Sequence, residues 1–144
     1  MPKMQKGADT AVRLHSLFSG LERAHGVYYP PAVAVPNPEK KGKIEGRPST
    51  KRAAPTVELW KQHLAGKVGL GVFMLRDDAT VRFAALDIDV YPLDLARLAV
   101  RVREAKLPLI VCRSKSGGAH LYLFGKEPLS AALVRKRLIA WASV

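Results

Sequence analysis

Two groups of residues have the types and spacing to do chemistry. The first is Asp87 and Asp89, one residue apart at the end of the apolar run VRFAALDIDV. In a β-strand, residues i and i+2 share a face, roughly 6–7 Å apart. Both carboxylates therefore leave one face, while Leu86, Ile88 and Val90 point the other way. Two aligned carboxylates repel each other and require a cation, a basic group or water beside them. The second group is Arg113-Ser114-Lys115-Ser116-Gly117-Gly118, with His120 just beyond it. Two hydroxyls, two basic side chains and two glycines that admit a ligand close to backbone N–H groups make the chemistry of a phosphate cradle. His120 faces the same way as Tyr122 and Phe124.

The segments around these residues read as a crossover unit. Thr80–Asp89 is a strand. Pro92 suits a first helical turn, and Leu95, Leu98, Ala99, Val102 and Ala105 repeat with helical period. Pro108 restarts the chain, Leu109–Cys112 is a short buried strand, and His120–Phe124 is another. Gly125-Lys126-Glu127-Pro128 makes a turn, and Ser130 caps a last helix with Val134, Leu138 and Trp141 inward. Upstream, Thr56 caps a helix through Leu64 that stops at Gly66. Val68–Leu75 then pairs with Thr80–Asp89 as a hairpin across Arg76-Asp77-Asp78-Ala79, a polar turn in which Asp is favoured for backbone bonding.

The first 55 residues carry weaker signals. Residues 1–9 are polar and expected to fray. Leu14, Leu17, Phe18 and Leu21 mark an amphipathic helix from Thr10 to about Gly26, with His15 and His25 on its solvated side. Val27–Pro55 is a loop by composition, holding Pro30, Pro31, Pro36, Pro38, Pro48 and Pro55 among Lys40, Lys41, Lys43, Arg47, Lys51 and Arg52. Such a stretch is a solvated linker, or a basic flap that tracks a nucleic-acid backbone with Tyr28 and Tyr29 available for stacking. The plan is thus one partial domain over 1–144, made of an N-terminal helix (1–26), a basic Pro-rich loop (27–55) and a core (56–144). Its class is α+β. The core reads strand–helix–strand–strand–helix, ferredoxin-like or RRM-like without the closing strand, after an N-terminal helical and β-hairpin unit.

The 144 residues carry a formal charge of +12. That excess favours nucleic-acid or polyphosphate partners. The single cysteine, Cys112, excludes an internal disulfide framework, and its apolar strand suggests a buried thiol. No apolar run approaches membrane-spanning length and the N-terminus has no signal-peptide core, so a cytoplasmic protein is expected.

In this order, Asp-x-Asp, a βαβ spacing and SKSGGAHLYLF resemble the catalytic core of the archaeo-eukaryotic primase superfamily. The Ser- and Gly-rich turn is similar to that of polymerase domains in bacterial end-joining ligases. HLAGKVGLGVFML (residues 63–75) is similar to the segment before the first motif in primase domains of TOTE conflict systems. The resemblance implies a DNA primase/polymerase-type nucleotidyltransferase that adds nucleotides to a 3′-hydroxyl on a nucleic-acid template. Asp87 and Asp89 would hold Mg²⁺ or Mn²⁺. Ser114, Lys115, Ser116, Gly117 and Gly118 would bind the nucleoside triphosphate, and His120 would donate to a phosphate oxygen. The implied partners are single-stranded or template-primer DNA. The superfamily's third, acidic motif lies on the closing strand. The chain is therefore expected to be the N-terminal part of a longer replication, repair or defence protein, with helicase or nuclease domains as possible companions. Two alternatives are a non-catalytic RRM-like binder of single-stranded nucleic acid, using Tyr122 and Phe124 for stacking, and a metal-dependent glycosyl or phosphate transferase using Asp-x-Asp.

Overall fold

A computed structural model describes residues 2–31, 36–37, 43–44 and 46–143. Two compact units divide the chain, Met1–Arg76 and Asp77–Val144. The boundary falls in the Arg76–Ala79 turn, so the expected 56–144 core begins in one unit and runs through the other.

In the first unit, α1 spans Pro2–Leu17. It includes residues expected to fray and stops well before Gly26. The chain leaves the helix because Gly20 lies against the segment ahead of it: a Cβ there would overlap the Phe73 carbonyl oxygen. The Leu21 N–H donates to that same oxygen at 2.8 Å. This tertiary bond overrides the local helical period. His25 begins β1 (His25–Tyr29) instead of ending a helix, and is buried with Nδ1 2.6 Å from the Ala53 carbonyl.

The expected 27–55 loop is partly sheet. Two-residue strands lie at Pro36–Asn37 (β2) and Lys43–Ile44 (β3), paired with each other, and β4 spans Arg47–Lys51. β4 and β5 (Gly69–Gly71) both pair antiparallel with β1, giving the order β4-β1-β5. Pro48 is tolerated because β4 lies at an edge, where its missing N–H breaks no ladder. Pro38, Lys40 and Lys41 of the predicted basic flap lie outside the described residues. α2 (Val57–Leu64) is capped as expected, with the Leu59 N–H 3.2 Å from Thr56 Oγ1. It buries Trp60, whose ring lies 5.5 Å from that of Phe18.

The hairpin expected between 68–75 and 80–89 does not form. β5 pairs with β1, and β6 (Thr80–Ile88) pairs with β8 (Ala119–Ser130). Polar turn chemistry is present nonetheless: Asp78 Oδ1 accepts from the backbone N–H and hydroxyl of Thr80 at 3.1 and 2.6 Å. This turn joins two sheets rather than two strands of one, which local sequence does not distinguish.

The second unit runs β6, α3 (Leu95–Glu104), β7 (Ile110–Arg113), β8, α4 (Ala131–Ala142). Its sheet order is β6-β8-β7 with both pairings antiparallel. That is the first three strands of a ferredoxin-like sheet, with β8 inserted between two parallel strands joined by a helical crossover. Asp94 caps α3 by accepting from the Arg97 N–H at 2.9 Å. Ser130 occupies the N-cap position of α4 but makes no capping bond with its side chain. The predicted 125–128 turn is a bulge within β8, across which the register jumps from Val81↔Leu129 to Phe83↔Phe124.

One sheet face and both helices form the core. Val81, Ala84, Leu121, Val102, Leu109, Ala119, Val134 and Leu138 are buried, with Leu86, Ile88, Leu95, Leu98 and Trp141 against them. The opposite face follows from the register: Asp87 is across from His120, which is across from Cys112, and Ala85 is across from Tyr122. Cys112 therefore stands on the face away from the helices and is half-exposed, contrary to the buried thiol expected.

Candidate active site

Every predicted site residue belongs to the second unit, at the end of the sheet where β6 finishes and the β7–β8 turn begins. Asp87 is in the ladder, whereas Asp89 is the first residue beyond the end of β6. The two carboxylates have different partners. His120 Nε2 lies 3.3 Å from Asp87 Oδ1 across the β6–β8 pair. The Tyr91 hydroxyl donates to Asp89 Oδ1 at 2.9 Å.

The imidazole bridges two groups. Its Nδ1 is 3.3 Å from the Tyr122 hydroxyl. A carboxylate only accepts hydrogen bonds, so the Asp87 contact is satisfied by a proton on Nε2, and Nδ1 then accepts from the phenol. A neutral ring serves both. Burial holds the Tyr122 pKa above its ordinary value of 10.0, with the charges of Cys112 and Asp87 acting in the same direction. Tyr122 thus remains a donor. Its ring stacks on Phe124 at 5.8 Å, and Phe124 on buried Phe83 at 6.4 Å, which builds a wall beside His120.

The turn from Arg113 to Gly118 is closed by its own backbone. The Ser114 N–H donates to the Gly118 carbonyl at 2.9 Å, and the Gly117 N–H donates to the Ser114 carbonyl at 3.2 Å. The glycines are thus needed first for folding. Gly117 has φ +93°, and a Cβ on Gly118 would overlap the Ile88 carbonyl oxygen, because the turn presses against the end of β6. Ser114 is buried with Oγ 3.1 Å from Ser116 Oγ, while Lys115, Ser116 and Gly117 are exposed. Composition suggested that both glycine amides would face a ligand, but the Gly117 N–H is engaged within the turn.

Tyr91 is the residue that reasoning from sequence missed. Its hydroxyl also lies 2.7 Å from Ser116 Oγ, so it spans the acidic pair and the turn. The alternation Asp87, Asp89, Tyr91 was the available signal.

The donor set suits a hard ion. Among the described residues, no cluster of three or more His, Cys, Asp or Glu side chains could hold a metal. Mg²⁺, however, is ordinarily bound by one or two carboxylates, with waters and substrate phosphates completing its octahedron. Exposed Asp87 and Asp89 beside a hydroxyl-rich turn meet that requirement. No helix among the described residues is long and apolar enough to cross a membrane.

No curated protein matches the chain. The profile of the family described as the TOTE conflict system, Archaeo-Eukaryotic Primase domain matches residues 21–141. With most of its length covered, and with a mixed α+β core of the corresponding kind, the chain belongs to the archaeo-eukaryotic primase domains of TOTE conflict systems.

Proposed function

We propose that this domain binds a nucleoside triphosphate with Mg²⁺ or Mn²⁺ and serves template-directed nucleotidyl transfer to a 3′-hydroxyl. One observation carries the reading: Asp87, Asp89 and His120 share one end of one sheet with the Ser114–Gly118 turn, and Tyr91 bridges Asp89 to Ser116. Asp87 and Asp89 would hold the ion, which when bound supplies charge neutralisation at the phosphates and lowers the pKa of the attacking hydroxyl. Ser116 and the basic side chains of Arg113 and Lys115 orient the triphosphate. His120 keeps a proton on Nε2, held by Asp87 in the free protein and donated to a phosphate oxygen when Asp87 is otherwise engaged. Phosphoryl transfer asks mainly for positioning and charge stabilisation, which these groups provide.

The exposed Arg47, Lys51 and Arg52 of the first unit, and Arg135, Lys136 and Arg137 of α4, supply positive charge for a nucleic-acid backbone. A purely stacking, RRM-like role is less favoured. Tyr122 and Phe124 are only half-exposed, and Phe124 is stacked between Tyr122 and the buried Phe83, which leaves less ring face open to a base.

Calorimetric titration of a deoxynucleoside triphosphate tests the reading. Changing Ser116 and His120 together to Ala should weaken binding at least tenfold, since charge-assisted hydrogen bonds are worth roughly 1.5–3 kcal/mol each. A nucleoside without phosphates should be insensitive to the change. Equal losses for both ligands would refute a phosphate site.

A further inference from the structure

Tyr91 has one phenolic proton and two acceptors within reach, Asp89 Oδ1 at 2.9 Å and Ser116 Oγ at 2.7 Å. It can satisfy only one at a time with a well-aligned bond. Packing does not explain its position, because the residue is 54% exposed. Beyond Ser116 the chain of hydroxyls continues to buried Ser114, 3.1 Å away, which is fixed in the closed turn. One phenol oxygen therefore reaches both the acidic pair and the phosphate turn at hydrogen-bonding distance.

We infer that Tyr91 couples cation binding at Asp89 to triphosphate binding at Ser116. An ionised Asp89 without a cation is the stronger acceptor and takes the phenolic proton. When a cation occupies the Asp89 oxygen, that acceptor is withdrawn, and the O–H turns about its C–O bond toward Ser116 Oγ. Ser116, now accepting from Tyr91, directs its own proton outward to a phosphate oxygen. No covalent bond changes. Linkage makes the effect reciprocal, so triphosphate at Ser116 strengthens cation binding by the same factor. Tyr91 is on this basis a positioning residue that touches neither ligand. The inference rests on the reading of Asp87 and Asp89 as metal ligands, and the experiment separates the two.

The experiment measures the affinity of the chain for a non-hydrolysable ATP analogue with and without Mg²⁺, in the parent and in Tyr91→Phe. Chelation of the analogue in solution is identical for both proteins and cancels from the comparison. Without metal, the two proteins should bind within about twofold of each other. The enhancement on adding Mg²⁺ should be about tenfold smaller in Tyr91→Phe, the size expected for one charge-assisted hydrogen bond. Ser116→Ala should lose the same enhancement, and the double variant should lose no more than either single one. That non-additivity is a readout that simple loss of stability would not produce. Equal enhancement in parent and Tyr91→Phe would overturn the coupling while leaving the metal site intact. Loss of metal-free affinity as large as the metal-bound loss would make Tyr91 a direct ligand contact and overturn it too. No enhancement in the parent would refute the metal reading, and the coupling with it.

Discussion

Asp87 and His120 face each other across the β6–β8 ladder, with Oδ1 and Nε2 3.3 Å apart and both side chains well exposed to solvent. An exposed pair of this kind adds at most about 1 kcal/mol to stability. His120→Ala should therefore leave the unfolding free energy within about 1 kcal/mol of the parent, as read by urea denaturation. The same substitution should weaken triphosphate binding about tenfold. A large stability loss would assign His120 to the framework instead.

The turn glycines should differ in kind. Gly118→Ala drives a Cβ into the Ile88 carbonyl oxygen, a backbone atom that cannot step aside without moving β6. It should cost several times more than Gly117→Ala, where space is open and only φ +93° is unfavourable. The latter penalty is about 1–2 kcal/mol. Urea titrations of both variants compare them directly, and equal costs would contradict the close approach of the turn to β6.

Alkaline titration should register Tyr122. Its pKa is raised in the folded protein, chiefly by burial and then by the charges of Cys112 and Asp87. The unfolded chain therefore loses this proton first. The stabilising contribution is complete below the ordinary value of 10.0 and is lost as pH climbs through the folded pKa above it. Tyr122→Phe should flatten this limb of a stability–pH curve. An unchanged slope would place the ring in water.

Binding of single-stranded DNA should weaken steeply with salt, because neutralised phosphates release counterions. Replacing Arg47, Lys51 and Arg52 with Ala should reduce the log–log slope by up to about 2, roughly 0.7 for each single-strand phosphate that is no longer neutralised. An unaltered slope would remove these residues from the interface.

The second unit was far more legible in sequence than the first. Strand–helix–strand–strand–helix followed from periods carried by Leu95, Leu98 and Val102, and by Val134 and Leu138, all of which serve a core built from nearby segments. Strand β1 was hidden because its partners are distant: Val27 pairs with Ser49 on one side and Leu70 on the other. Proline and lysine around it spoke locally for a loop. The same kind of long-range bond, Leu21 N–H to the Phe73 carbonyl, ended the first helix early. At the candidate site, the residue types were readable because the proposed phosphate and cation chemistry restricts them. Tyr91 was not, since its position matters only once the fold brings Asp89 and Ser116 to either side of one hydroxyl.

Melting temperature with and without Mn²⁺ tests most directly whether Asp87 and Asp89 form a cation site. In the metal-free protein, Asp87→Asn and Asp89→Asn change exposed side chains and should alter the melting temperature little. Mn²⁺ should stabilise the parent, because it binds the folded state preferentially. That increment should fall sharply in either variant, along with metal-dependent triphosphate binding. Metal-induced shifts of the same size in the parent and both variants would contradict the account.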